Sequence, residues 1–354
     1  MTSHRRSVPF VGLWSILGLL SLTFCLALFG CARATERTRI KVLIVPKFEI
    51  GEMSGDFPGE AQLFYEQYCA GCEEVAIPNT TPTAHFFVNE ENGVALLVTG
   101  SGKTAASLSL ASLLSWDAYD FHDAMIVSVG CGGGSTGSNV LGDVVVVTAA
   151  CDAELGHRTD ASEMANPNAG RTWFPDESYN EYSCERLNSV LCEKAYQLVK
   201  DCPLRTTETV RRVLAKSFPK EEWASRAPHV SKGTAVTGDC YWKGKLGHEN
   251  AKHIVDYYKC PDAYAVTEME EIAIINAAEN FGLEDRIISL RAIVNMDTFL
   301  AGETPENAWL DGVDFSGDVV EESGETLDIF EPAMENLRDT GQIVIDAILA
   351  GELA

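Results

Sequence analysis

The stretch CPDAYAVTEMEEIAIINAAENFGLEDRIISLRAIVNMDTF, residues 260–299, decides the fold. Ala263–Thr267 is a short apolar run of strand length, and Glu268–Phe281 places Ile272, Ile275, Ala278 and Phe281 at helical spacing. Gly282 stands where such a helix stops, and Ile287–Val294 is a second apolar strand that ends in Asn295, Met296 and Asp297. The stretch thus reads as strand, helix, strand, and open α/β sheets bind ligands at the carboxyl ends of their strands. Glu270 falls at the first of those ends and can accept hydrogen bonds from two adjacent hydroxyls, such as the 2′- and 3′-OH of a ribose. The same acids, Glu268, Glu270 and Glu271, also suit a helix N-terminus, where a negative charge gains ~0.3–1 kcal/mol.

Outward from this core the chain keeps alternating. Ile40–Val45 reads as a buried strand, followed by the acids Glu49, Glu52, Asp56 and Glu60, with Pro58 opening a helix that carries Leu63, Phe64 and Tyr68. One of those acids, raised by burial, is a candidate general acid. Short strands at Glu74–Pro78 and Ala84–Asn89 lead through Asn92-Gly93 into Val94–Thr99, then Gly100-Ser101-Gly102-Lys103-Thr104 and a helix over Ala105–Trp116. The turn is not a P-loop, because Leu97 stands where its first glycine is required. Its backbone N–H groups remain candidates for a ligand contact. Met125–Gly130 is a strand that runs into Cys131-Gly132-Gly133-Gly134, a loop in which bare backbone can approach a ligand.

Asp143–Ala150 reads as a strand with an unbroken β-branched run, Val144–Thr148, and a polar segment from Cys151 to Tyr179 follows it. Glu181–Lys200 and Thr207–Lys216 read as a helical insertion near 181–216. The strand His229–Thr237 then ends in Gly238-Asp239-Cys240-Tyr241-Trp242, whose aromatics can stack on a planar base. A helix near Glu249–Tyr258 carries His248 and His253, five apart and therefore off a shared face, which excludes a zincin and points to a solvated helix. An acidic loop, Glu303–Glu325, and a C-terminal helix near Ile329–Ala350 complete an α/β pattern with a mixed sheet.

The chain has 354 residues and a formal net charge of −25, which makes nucleic acid and anionic membrane surfaces poor partners. His4, Arg5 and Arg6 precede an apolar run from Val8 to Gly30, and Cys31-Ala32-Arg33-Ala34 offers a cleavage site. Residues 1–34 are therefore expected to be a signal peptide or membrane anchor, with 35–354 as one translocated domain. The membrane would be met only through that segment. Of eleven cysteines, two lie in the leader and nine beyond it, so at least one is free or pairs between chains. A disulfide among Cys184, Cys192, Cys202, Cys240 and Cys260 fits an oxidising compartment. Cys69-x-x-Cys72 has no second pair to complete a zinc site, and no metal centre is expected.

Taken together, VALLVTGSGKTAASLSLASLL (94–114), the Gly-rich strand end, EMEE (268–271) and LRAIVNMD (290–297) resemble the nucleoside phosphorylase and nucleosidase superfamily. Within it, FEIGEMSGDFPGE (48–60), GDVVVVTAACDAELGHR (142–158), TGDCYWKG (237–244) and TEMEEIA (267–273) look like the purine nucleoside permease family. The resemblance spans residues 40 to about 300. It implies a three-layer αβα fold with a central mixed β-sheet, and purine nucleosides (adenosine, guanosine, inosine) as partners, bound outside the membrane to assist uptake. The alternative it implies is a phosphorylase or hydrolase that cleaves the N-glycosidic bond. By position, Met269 and Glu270 would hold the ribose, Trp242 and Tyr241 the base, and Gly132 and Gly133 would lie beside the sugar. Glu49, Asn295 and Asp297 would be the catalytic set. Nucleosidases carry Asp at the Asn295 position, and an amide donates a hydrogen bond without delivering a proton. Phosphate is the one candidate co-substrate, although Ser128 and Cys131 stand where phosphorylases place Arg or Ser/Thr. No other cofactor is implied, and homo-oligomers are common in the superfamily.

Overall fold

A computed structural model describes residues 37–165, 171–305 and 329–353. It divides into two compact units, Met1–Thr38 and Arg39–Ala354, and everything below concerns the second. The expected leader, 1–34, lies outside the described residues, as does most of the acidic loop 303–325.

Nine strands form one mixed sheet: β1 Val42–Val45, β2 His85–Asn89, β3 Val94–Val98, β4 Met125–Gly134, β5 Val144–Asp152, β6 Cys184–Arg186, β7 Val230–Thr237, β8 Tyr264–Glu268 and β9 Ile287–Met296. The strands VLIV, VALLV and VVVVTAACD are buried along their whole length, as continuous apolar runs covered on both faces must be. β1 pairs in parallel with β3 and β4, and β2 closes that margin antiparallel to β3. On the other side β5, β7 and β8 run parallel, β8 meets β4 antiparallel at Thr267–Gly133, and β9 lies parallel to β4 and antiparallel to β5. Strands β5, β7, β8, β4 and β9 therefore close into a ring, and β4 is shared by the ring and the open half of the sheet.

Gly132, Gly133 and Gly134 belong to β4 and not to a loop, which corrects the expectation from sequence. The reason is steric. A Cβ on Gly132 would stand 2.5 Å from Val266 Cγ2, one on Gly133 2.9 Å from Thr267 Cγ2, and one on Gly134 2.6 Å from Ile293 Cγ2. The glycines let three strands converge more closely than side chains permit.

Helices cover both faces. On one, α1 (Lys103–Ser115), α3 (Glu208–Ser217) and α5 (Glu271–Glu279) bury Leu110, Leu113, Val213, Ile272 and Ile275. On the other, α2 (Ser189–Val199) and α6 (Phe330–Leu349) bury Leu191, Ala195, Met334, Leu337, Val344 and Ile345 at helical spacing. Each such apolar side chain contributes ~1.5–3 kcal/mol of burial. A third cluster joins α4 (Lys245–Tyr258) to Trp173 and Cys151. The architecture is the three-layer α/β fold with a central mixed sheet.

Three local readings change. The 181–216 segment is not wholly helical: β6 extends the sheet antiparallel to β5 before α2 begins. Glu74–Pro78 makes a single bridge, Glu74 with Phe87, instead of a strand. Pro58 precedes an irregular turn, and the helix starts at Gln62–Phe64, then runs into a π-helical stretch, Tyr65–Cys69.

Candidate functional site

Beneath the turn that joins β8 to α5 lies a cluster of charges sealed from solvent. Arg291 projects from β9 beside Gly130, where any Cβ would sit 2.1 Å from its Nη1, so only glycine leaves room for the guanidinium. Its Nη2 donates to Glu268 Oε2 at 2.9 Å and to Glu271 Oε2 at 2.8 Å. Lys47, just past β1, donates from Nζ to Ser128 Oγ at 2.7 Å and to the carbonyls of Val129 and Val45 at 2.9 and 3.0 Å. Ser128 Oγ in turn donates to Glu271 Oε2 at 2.7 Å. Glu60 accepts from the backbone N–H of Lys47 at 2.8 Å and of Cys131 at 2.7 Å.

Four carboxylates, Glu60, Glu268, Glu270 and Glu271, thus face two cations, Lys47 and Arg291, and all six are at most 5% exposed. The excess of acid shapes the ionisation. Burial, then the Glu268 charge, pushes the Glu270 carboxyl up to about 7. Burial and the neighbouring Arg291 push the Lys47 ammonium down to about 8. Burial alone would lower the Arg291 guanidinium, but Glu268 and Glu271 outweigh it and raise it. Arg291 Nε and Nη1 and Glu271 Oε1 are buried without a hydrogen-bond partner. A phosphate entering here would add negative charge to a surplus of it.

The glycine turn is equally closed to anions. Gly100 and Gly102 adopt φ of 85° and 89°, which glycine alone takes without strain, and so aim the first amides of α1 outward. Those amides are already used: Gly102 N–H donates to Glu270 Oε1 at 2.8 Å and Lys103 N–H to Asp239 Oδ1 at 2.7 Å. The expectation that this turn offers its N–H groups to a ligand gives way to carboxylates of the chain itself. Lys103 Nζ is held by Asp152 at 2.9 Å and Glu154 at 2.7 Å.

The residues expected at the site separate into committed and uncommitted groups. Glu49 accepts from the backbone N–H groups of Ile50, Gly59, Ala61 and Gln62, so it organises the loop before the first helix. Burial pushes its carboxyl up against those four bonds. Asp297, wholly buried, accepts from Thr136 N–H at 3.0 Å, Thr136 Oγ1 at 2.8 Å and Tyr264 OH at 3.0 Å, and pairs with His248 Nδ1 at 2.7 Å. These contacts use up both oxygens, so neither acid is placed to serve as a proton donor to a ligand. His248 is correspondingly 9% exposed, not on a solvated helix face. Trp242 precedes α4 and packs its ring against it, since a Cβ on Gly247 would stand 2.2 Å from its Cε3; Tyr241 is 44% exposed.

Glu270 and Asn295 differ. Glu270 is 5% exposed, and among the described residues no donor reaches its Oε2. Asn295 is 8% exposed, and its amide makes one long contact, 3.4 Å, to the Met296 carbonyl. Gly133 pairs with Asn295 on β9 and with Thr267 on β8, so the amide sits one strand away from the turn that carries Met269 and Glu270. Met269 is half-buried there. Gly132 and Gly133 supply the backbone between the two strand ends.

Arg291, Lys47, Glu268 and Glu271 were not singled out from the sequence as site residues, whereas Glu60 stood among the four candidate general acids and Ser128 at the phosphate position. A signal was present for two of them. Arg291 is a lone charge inside the apolar run IISLRAIV, and Lys47 follows IKVLIV almost directly. A cation carried into a core by its strand requires a buried acid.

A family model described as Purine nucleoside permease (NUP) matches residues 39–352. A Schizosaccharomyces pombe protein described as "Probable purine nucleoside permease" is 22% identical over 277 residues, covering 72% of this chain and 76% of its own. Among solved structures, the 5′-methylthioadenosine/S-adenosylhomocysteine nucleosidase of Neisseria meningitidis aligns with a TM-score of 0.50 at 17% identity, over 87% of this chain and 99% of that one. The futalosine hydrolase of Helicobacter pylori aligns with a TM-score of 0.51 at 13% identity, over 87% and 97%. At such identities these two structures speak for the fold alone, which is that of the nucleoside phosphorylases. The match across the whole second unit is of another kind, and with it the chain belongs to the purine nucleoside permease family.

Proposed function

We propose that this protein binds purine nucleosides at the ends of β8 and β9 and assists their uptake from outside the membrane. The observation that carries the reading is a pair of uncommitted polar groups: Glu270 Oε2, just past the end of β8, and the Asn295 amide on β9, beside Gly133. Glu270 accepts from the ribose hydroxyls, and Asn295 donates to or accepts from the purine edge. A surplus of buried acid suits a neutral ligand and opposes phosphate. Adenosine, guanosine and inosine are the candidate ligands, with Met269 against the sugar. Among the described residues no helix is long and apolar enough to cross a membrane. We read the role in uptake as capture, with residues 1–34 directing or tethering the domain outside the cell. Self-association is the expected state, checked by light scattering.

Titration of the purified chain with each nucleoside in a calorimeter, with and without phosphate, tests the proposal. Glu270→Ala should weaken binding about a hundredfold, the loss of two charge-assisted hydrogen bonds. Unchanged affinity would place the site elsewhere. Free base released during the titration would replace capture with N-glycosidic cleavage, and release only with phosphate would identify phosphorolysis.

A further inference from the structure

At the margin of the sheet formed by β6, three sulfurs crowd together. Cys151 is the last residue but one of β5 and Cys184 begins β6 directly across from it, and the two form a disulfide. This corrects the expected set, which included Cys184 but not Cys151. Cys260, just after α4, keeps a free thiol whose Sγ is 3.3 Å from Cys184 Sγ and 3.3 Å from Cys151 Sγ. A structural disulfide ordinarily has no third thiol in contact with it. Three thiolates this close would suit a soft metal ion, but two of them are joined, which leaves one. Cys184 also lines a cleft of about 500 Å³ together with Arg186 and Lys259, an entrance suited to a small anionic thiol.

We propose that Cys151, Cys184 and Cys260 form a thiol–disulfide exchange centre, in which one disulfide is shared among three sulfurs and a small anionic thiol enters at Cys184. The step is an isomerisation. Cys260 gives its proton to solvent, and the thiolate attacks Cys184 Sγ. The Cys184–Cys260 bond forms as the Cys151–Cys184 bond breaks, and Cys151 leaves as a thiolate that takes up a proton. Attack on Cys151 Sγ gives the third pairing in the same way. One disulfide is present before and after, so no oxidant is consumed. An external thiol does the same through a mixed disulfide at Cys184, from which Cys260 or Cys151 displaces it. Burial pushes the Cys260 thiol above its usual range, which slows exchange, and acid stops it by protonating the attacking thiolate.

The test is disulfide mapping by mass spectrometry on the full chain, with glutathione buffer as the probe, an acid quench and alkylation. The native protein should yield all three pairings after incubation. Each single variant, Cys151→Ser, Cys184→Ser and Cys260→Ser, should still hold a disulfide between the two cysteines that remain. If Cys260 is alkylated in every molecule and only the Cys151–Cys184 pair is recovered, the proposal is overturned. Should a variant fail to fold, the native map decides alone. A Cys184→Ser chain that folds with both Cys151 and Cys260 alkylated also overturns it.

Discussion

Asp297 and Glu270 are two buried carboxylates just past the ends of β9 and β8, the strands on either side of β4, and their surroundings have opposite characters. Asp297 is met by Thr136, His248 and Tyr264, drawn from three separate segments, and is saturated. Glu270 sits among other acids with one oxygen unanswered and its carboxyl near neutrality. The difference is between a group that holds the structure and one held by it at a cost. Both are carboxylates and both are buried, so neither property reveals function. Unspent hydrogen-bonding capacity does.

The sharpest way to break this contrast is to remove the cation on which the acidic cluster depends. Arg291→Met leaves Glu268 and Glu271 without their shared partner and should cost about 3–5 kcal/mol in urea denaturation. A loss under about 1 kcal/mol would mean that the cluster holds fewer charges than drawn here.

Next in size is a pH effect. Between 4.5 and about 7 the folded chain keeps a proton on Glu270 that the unfolded chain has released, so stability falls as pH rises through that window, by about 3 kcal/mol. Lys47 acts in the other direction. Between about 8 and 10.5 the unfolded chain holds a proton that the folded one has lost, so stability recovers as pH rises. Denaturation midpoints should pass through a minimum between pH 7 and 8. Glu270→Gln should flatten the acid limb and Lys47→Met the alkaline one. Parallel curves for wild type and Glu270→Gln would remove Glu270 from the account.

Asp297→Ala should cost about 2–3 kcal/mol, because it strands the Tyr264 hydroxyl and takes the partner from His248 Nδ1, and should move nucleoside affinity less than about threefold. A large affinity loss without instability would make Asp297 a ligand group and reverse the comparison. Smallest is Gly133→Ala, whose methyl would press on Asn295 Nδ2 and Thr267 Cγ2, each at 2.9 Å, for about 1–2 kcal/mol. Its affinity loss should exceed that of Asp297→Ala, since it displaces the amide directly.

Most of the fold was legible in the sequence because buried strands such as VVVVTAACD and helices such as Phe330–Leu349 carry their period in their own residues. What escaped was set by partners distant in sequence. Nothing around Gly132–Gly134 says whether bare backbone faces a ligand or another strand. Only the closing of β8 and β9 on β4 decides it. Met269, Glu270 and Asn295 came from motif positions, whereas the saturation of Glu49 and Asp297 depended on amides and hydroxyls that no local pattern encodes. Three-residue β6 was hidden for a related reason: CER has no period of its own and becomes a strand only against β5.

That short strand has a further consequence. It forms one margin of the sheet, and a margin is where a stray chain can add itself and start an aggregate. Three residues offer little template, and the Cys151–Cys184 bond anchors them to the strand behind. For a protein read as working beyond the reach of intracellular chaperones, a clipped and stapled border is protection against self-templating that travels with the molecule.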